Sequence, residues 1–156
     1  MIFSTRLGKI EVDEAEVLTF EAGIPGFEPW HRYALIMLPE TQPVQWLISL
    51  ESMEIAFPVL DPWLVKKDYA FDISQDVVDR LDIKNREKIL VTNMVRIPQN
   101  NPQEMTINLL APIIVNTENR KAMQLVLDRS DYSLRHMIRE EANKPVATNE
   151  GEICSS

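Results

Sequence analysis

Apolar and polar residues alternate along much of this chain, most clearly in the segment from Thr106 to Val115. Every second residue there, beginning at Ile107, is apolar, whereas the residues between them include threonine, asparagine and proline. A period of two places alternate side chains on opposite faces of a β-strand, so the pattern predicts a strand with a buried face. Proline cannot donate a hydrogen bond to a neighbouring strand, and we therefore expect an edge, a bulge or a bend at Pro112.

Eight further segments have the length and apolar content of short strands, and turn residues such as glycine, proline and aspartate separate them. One of them, residues 33–38, is apolar on both faces and is expected to lie centrally. The predicted strands span residues 1–5, 9–12, 16–20, 33–38, 45–50, 56–60, 88–97 and 122–128.

Two short helices are predicted. Ser74 can cap a helix over residues 75–81, in which Val77 and Leu81 share a face. A second helix is expected over about residues 134–141. Many short strands with few helices indicate a mainly β protein, a small antiparallel β-barrel-like single domain with one or two short helices. The domain is expected to span residues 1–144, and the small polar residues of 145–156 predict a disordered, flexible C-terminal tail.

The composition and charge of the chain argue against binding to nucleic acid and to membranes. The chain has 156 residues and a formal net charge of −8, from 24 acidic and 16 basic side chains. This charge argues against direct binding to nucleic acid, which requires clustered lysine and arginine. We find no apolar run long enough for a membrane span or a signal peptide, and a single cysteine, Cys154, fits a reducing compartment. We therefore expect a cytoplasmic protein that binds no membrane.

The negative charge is concentrated in the first third of the chain. Residues 1–60 contain nine acidic and three basic side chains, a net charge of −6, and the remainder contributes −2. One explanation is a solvated acidic face that keeps the protein soluble. The other is electrostatic steering towards a basic partner, which can raise association rates about 10- to 1,000-fold.

Motifs for catalysis are missing from the sequence. It has two histidines and one cysteine without the spacing of a metal site, and no nucleophile elbow. The segment Gly-Ile-Pro-Gly at 23–26 lacks the lysine and serine or threonine of a phosphate-binding loop, so it predicts a turn. We therefore expect a protein that is not an enzyme and needs no cofactor.

Aromatic and acidic residues instead occur together in proline-containing loops. Phe27 and Trp30 flank Glu28 in one loop, and Asp61 and Trp63 flank a proline in another. Such loops are typical of protein interfaces, because aromatic anchors on a restrained backbone bind at low entropic cost. The alternative is that the rings close the ends of the barrel as part of its core.

Four segments in register resemble the flagellar assembly factor FliW family. They are Gly-Ile-Pro-Gly-Phe-Glu at 23–28, Trp-Leu-Ile-Ser-Leu-Glu at 46–51, Phe-Pro-Val-Leu-Asp-Pro at 57–62, and 106–116 followed by Arg120, Gln124 and Tyr132. The resemblance runs from about residue 3 to residue 139. It implies a small β-barrel-like factor that binds flagellin in the cytoplasm. When free of flagellin, such a factor binds the RNA-binding regulator CsrA and relieves its repression of flagellin translation, without simply filling the RNA site.

The partner-binding residues are predicted from loop position and residue type. A first group contains loop aromatics and acids, and a second lies beyond the long predicted strand, whereas Phe57, Leu109 and Ile113 are interpreted as core. An alternative function is a flagellin-specific export chaperone without a translational role. The candidate contact residues are Phe27, Glu28, Trp30, Asp61, Trp63, Tyr69, Asn116 and Arg120.

Overall fold

A computed structural model describes residues 1–128 and 131–138, and it confirms the mainly β class. The described residues form eleven strands and one α-helix, with short 3₁₀ turns between them. The strands are β1 (Ile2–Thr5), β2 (Gly8–Glu11), β3 (Leu18–Phe20), β4 (Arg32–Met37), β5 (Gln45–Ser49), β6 (Ala56–Leu60), β7 (Ile89–Arg96), β8 (Thr106–Ile107), β9 (Ile113–Asn116), β10 (Lys121–Gln124) and β11 (His136–Met137), and the helix is α1 (Gln75–Arg80).

Seven of these strands close into a barrel, in the order β7, β6, β5, β4, β3, β10 and β9. The barrel closes because β9 pairs with β10 on one side and with β7 on the other. Among the described residues, the β3–β10 pairing is the one parallel contact, with Lys121 opposite Thr19. The predicted antiparallel barrel is therefore confirmed, with one parallel pairing that joins the first third of the chain to the last.

Two elements cover the outside of the barrel. The β1–β2 hairpin packs over β4 and β5, where it buries Ala34 and Ile48 from the outer side. This cover explains why the predicted strand at 33–38 is apolar on both faces. The helix α1 covers Ile114 on the opposite part of the wall. It begins as predicted, because the hydroxyl of Ser74 accepts a hydrogen bond from the Val77 amide at 3.3 Å.

The long strand predicted over 106–115 is interrupted. Strand β8 ends at Ile107 and β9 begins at Ile113, and the chain bends between them as expected around Pro112. The side chain of Asn108 stabilises the bend, because its Oδ1 accepts hydrogen bonds from the Leu110 and Ala111 amides at 3.0 and 3.1 Å. Leu109 stays fully buried there, so the apolar alternation predicted burial correctly but strand continuity wrongly.

The helix predicted over 134–141 is wrong for residues 134–137, and of the remaining residues only Ile138, which is helical, can be described. His136 and Met137 form β11, which pairs antiparallel with β8. The helical spacing of Leu134, Met137 and Ile138 was misleading, because β8 needs a second hydrogen-bonding partner at this edge and the chain supplies it. Residues 139–141, the predicted boundary at 144 and 145, the tail at 145–156 and Cys154 lie outside the described residues.

The barrel interior holds a dense aromatic and aliphatic core. Phe20 and Tyr33 are fully buried, and their rings meet edge to face at 5.1 Å. The Tyr33 hydroxyl finds no hydrogen-bond partner among the described residues. Burial, together with the negative charge of Glu51, raises the pKa of Tyr33 to about 12. The core therefore favours the neutral phenol of Tyr33 over its anionic form.

Replacing Tyr33 with phenylalanine tests this burial. The folded chain holds the phenol proton of Tyr33 more tightly than the unfolded chain. The contribution of this proton to the free energy of unfolding is therefore fully present below pH 10, and it is lost as the pH rises through about 12. Tyr33→Phe is expected to remove that alkaline loss, at most about 1.4 kcal/mol per pH unit, and to leave the free energy of unfolding at pH 7 unchanged or higher. Urea unfolding of both proteins at neutral and alkaline pH measures this, and identical alkaline slopes would contradict it.

Candidate functional site

The loop from Gly23 to His31 is a tightly packed turn at one end of the barrel. Gly23 has φ of +73°, and a Cβ at this position would lie 2.6 Å from the backbone of Glu28. Only glycine fits so close a contact with a positive φ. Ile24 is 1% exposed and anchors the loop in the core. The Gly-Ile-Pro-Gly segment is therefore a structural turn that holds Phe27, Glu28 and Trp30 in place.

Phe27 and Trp30 are half-buried and pack against the core cluster of the barrel. The ring of Phe27 meets Phe57 edge to face at 5.0 Å. Each ring therefore closes the end of the barrel, as the second alternative expected, and leaves part of its surface exposed. Direct contact with a partner through that remaining surface stays a prediction.

Two carboxylates beside this loop are held by backbone amides. Glu28 is exposed and accepts a hydrogen bond from the Gly26 amide at 3.1 Å, which lowers the pKa of its carboxyl group. Glu51 accepts from the amides of His31 and Arg32 at 2.7 and 3.3 Å, which joins the loop after β5 to the loop before β4. We call Glu28, Glu51 and the nearby exposed Glu54 the acidic rim.

The second candidate loop forms a rigid turn at Asp61–Leu64, which we call the Trp63 turn. The Asp61 carboxylate accepts a hydrogen bond from the Trp63 amide at 2.9 Å and caps a 3₁₀ turn that begins at Pro62. The side chains of Trp63 and Leu64 are 39% and 61% exposed. Two neighbouring apolar side chains on a restrained backbone are what a protein partner can bind with little loss of conformational entropy.

Tyr69 supports the Trp63 turn from below. Its backbone oxygen accepts a hydrogen bond from the Trp63 indole nitrogen at 2.7 Å, and the two rings meet edge to face at 5.8 Å. Its own hydroxyl donates to the Leu109 carbonyl oxygen at 2.6 Å. Because only 3% of Tyr69 is exposed, its predicted role as a direct contact does not fit, and we assign it a positioning role.

Asn116 is also buried, with 2% of its surface exposed. Its side-chain nitrogen donates to the carbonyl oxygens of Leu81 and Asp82 at 2.9 and 3.1 Å, and thereby ties the end of β9 to the end of α1. Asn116 is therefore a poor candidate for direct contact. Arg120 lies half-exposed in the loop between β9 and β10. Of the second predicted group, only this arginine therefore stays a candidate for direct contact with a partner.

The predicted residues do not form one continuous site. Phe27 contacts Phe57 near the start of β6, whereas Asp61 follows the last residue of β6, about 13 Å further along the strand.

The sequence-based list also missed Leu64 and Glu51. Leu64 directly follows a tryptophan in a proline-restrained turn, and Glu51 directly follows a predicted strand. Both residues could have been selected from the sequence, because they lie in loops outside the predicted strands and are therefore not expected to be buried.

The described residues offer neither a metal site nor a membrane-spanning helix. Within residues 1–128 and 131–138, no group of three or more histidine, cysteine, aspartate or glutamate side chains could hold a metal ion. No helix in the same part of the chain is long and apolar enough to cross a membrane. The exposed side chains of the two candidate loops stay candidates for contact with a partner protein.

Comparisons with known proteins agree on one family. The family model described as "FliW protein" matches residues 1–138. The flagellar assembly factor FliW of Thermosipho africanus is 43% identical over 140 residues, which cover 90% of this chain and 97% of that protein. The FliW of Thermotoga maritima is 41% identical over 144 residues, covering 92% and 97%. A crystal structure of the flagellar assembly factor FliW matches with a TM-score of 0.81 at 26% identity, over 88% of this chain and 96% of that one.

The different roles of Tyr69 and Leu64 can be measured as stability. Tyr69→Phe removes the donor to the buried Leu109 carbonyl oxygen and is expected to cost about 1–3 kcal/mol. Leu64→Ala removes an exposed side chain and is expected to change the free energy of unfolding by less than about 0.5 kcal/mol. Urea unfolding of the two variants measures both values. Equal losses would mean that Leu64 belongs to the core and not to an accessible surface.

Proposed function

This chain belongs to the FliW family of flagellar assembly factors, and we propose that it is a partner-switching adaptor. It binds flagellin in the cytoplasm and, when free of flagellin, binds the RNA-binding translational regulator CsrA. CsrA held in this way no longer represses flagellin translation. Accumulated flagellin occupies the adaptor and releases CsrA, so the supply of flagellin limits its own synthesis.

The exposed acidity of the first 60 residues carries this proposal. All nine acidic side chains of that segment are exposed, and among the described residues only Glu21 forms an ion pair, with Lys121 at 3.5 Å. A regulator that binds RNA needs basic residues for the phosphates. The uncompensated carboxylates of this chain complement such a surface and favour rapid association with it.

Two mechanisms could release RNA from the regulator. In the first, carboxylates lie over the phosphate-binding residues and imitate RNA. In the second, the adaptor binds beside the RNA site and acts through repulsion of phosphate and a change in the regulator, a coupling of typically about 1–3 kcal/mol. We favour the second mechanism. Backbone hydrogen bonds fix the carboxylates of Glu28 and Glu51 on separate loops, and apolar strand residues interrupt the remaining acids, so the carboxylates lack the regular spacing of phosphates.

The Trp63 turn supports an alternative function, a flagellin-specific export chaperone without a translational role. Exposed apolar side chains such as Trp63 and Leu64 suit the apolar surface of an unassembled subunit. Mixing the purified chain separately with flagellin and with the regulator distinguishes the two functions. Binding of flagellin alone would favour the chaperone, and binding of both would favour the adaptor.

A competition experiment tests how the regulator is antagonised. The chain is titrated into a complex of the regulator with its RNA at several RNA concentrations, and bound RNA is measured by fluorescence anisotropy. We expect that excess RNA does not fully restore binding, because the adaptor acts from a site beside the RNA. Complete restoration, with a simple competitive shift, would support imitation of RNA and contradict the proposed mechanism.

Charge variants test the role of steering. Glu11→Gln combined with Glu54→Gln removes two exposed acids from the first third of the chain, and Glu87→Gln combined with Glu104→Gln removes two exposed acids elsewhere. We expect the first pair to slow association with the regulator several-fold at low ionic strength, and the control pair to have a smaller effect. Stopped-flow kinetics across a salt series measures the rates. Equal effects of the two pairs, or a rate independent of salt, would contradict steering.

A further inference from the structure

An open groove of about 640 Å³ lies beside β3, away from the Trp63 turn. The 3₁₀ turn at Glu14–Glu16 forms one wall, and the loop between β9 and β10 forms the other. Its lining includes Glu14, Val17, Thr19, Arg32, Glu118 and Arg120. The volume is within the range of sites that hold a small molecule or a few residues of a peptide.

Arg120 adopts a backbone conformation that is unfavourable for an arginine. Its φ is +65°, in the left-handed region, where glycine or asparagine costs less. The loop needs this conformation, because the Arg120 amide donates to the Asn116 carbonyl oxygen at 2.7 Å and its carbonyl oxygen accepts from the Thr19 amide at 2.9 Å. Glycine would adopt this backbone conformation at a lower energetic cost than arginine. The strain therefore points to a use for the side chain.

The arginine side chains that line the groove have no acidic partner within the described residues. Four ion pairs form in that part of the chain, and none includes Arg32 or Arg120. The Arg32 guanidinium lies 5.7 Å from the centre of the Phe3 ring, which positions it without neutralising it. Two unpaired arginines in one groove are unexpected in a chain of net charge −8.

We propose that this groove binds a carboxylate-bearing segment of a partner protein. The planar guanidinium groups of Arg32 and Arg120 suit a carboxylate, which can accept two hydrogen bonds from each. Glu14 and Glu118 line the same groove and repel a polyanion, so they disfavour RNA and favour a peptide whose acidic residue has a basic neighbour. This interaction surface is distinct from the Trp63 turn, and it does not depend on the identity of the partners proposed above.

Two glycine variants separate binding from stability. Arg120→Gly removes the guanidinium and relieves the backbone strain, so the melting temperature is expected to stay unchanged or to rise. Asp82→Gly is the matched control, because Asp82 also has a positive φ, +52°, but does not line the groove. Both variants should therefore be at least as stable as the parent, and only Arg120→Gly should lose binding.

The binding test uses two blocked hexapeptides that are identical except for a central glutamate or glutamine next to a lysine. Amide chemical shifts of the full chain are followed during titration with each peptide and, separately, with inorganic phosphate. We expect saturable shifts at Thr19, Glu118 and Arg120 with the glutamate peptide. The affinity should fall about tenfold or more with the glutamine peptide and in Arg120→Gly, and should be retained in Asp82→Gly.

Three results would overturn the proposal. The first is the absence of saturable shifts in the groove with the glutamate peptide. The second is equal binding of the two peptides, which would remove the role of the carboxylate. The third is binding of inorganic phosphate as tight as that of the glutamate peptide, which would identify a general anion site instead of a peptide site.

Discussion

The double pairing of β9 is the interaction on which the rest of this structure depends. All four residues of the strand are buried and pair with both β7 and β10. Ile113 and Val115 belong to the interior core, whereas Ile114 packs under α1 on the outside. Closure of a barrel removes the free strand edges that an open sheet would present. Without β9, the core would open to solvent and α1 would lose its packing surface.

Closure of the barrel also fixes the loops that carry the proposed interaction surfaces. Side chains bond to nearby backbone in the Trp63 turn, where Asp61 accepts from Trp63, and in the acidic rim, where Glu51 accepts from His31. Such loops lose little conformational entropy on binding, which favours affinity and specificity from small surfaces. The Trp63 turn lies apart from the groove beside β3, whereas the acidic rim adjoins that groove at Arg32, whose amide donates to Glu51 and whose side chain lines the groove.

The sequence predicted the local features of this fold better than the distant ones. Short apolar segments bounded by turn residues located eight of the nine predicted strands, and the ninth is split into β8 and β9. Ser74 marked the start of α1, because such signals lie within a few residues of the feature. The burial of Tyr69 could not be predicted, since its hydroxyl bonds to Leu109, which is 40 residues away. Asn116 was misassigned for the same reason, as its partners Leu81 and Asp82 come from another element. The helix expected over 134–141 does not form at His136 and Met137, because these residues pair with β8, a distant contact that helical spacing does not reveal.

Amide hydrogen exchange of the free chain tests the central claim that closure through β9 holds the fold together. The account predicts that the amides of Ile114 and Val115 exchange only through complete unfolding, so their opening free energy equals the free energy of unfolding from urea denaturation. Amides of the β1–β2 hairpin and of β11 should open at lower free energy, because these elements are not part of the closed barrel. Exchange of the β9 amides through openings well below the global free energy would contradict the account.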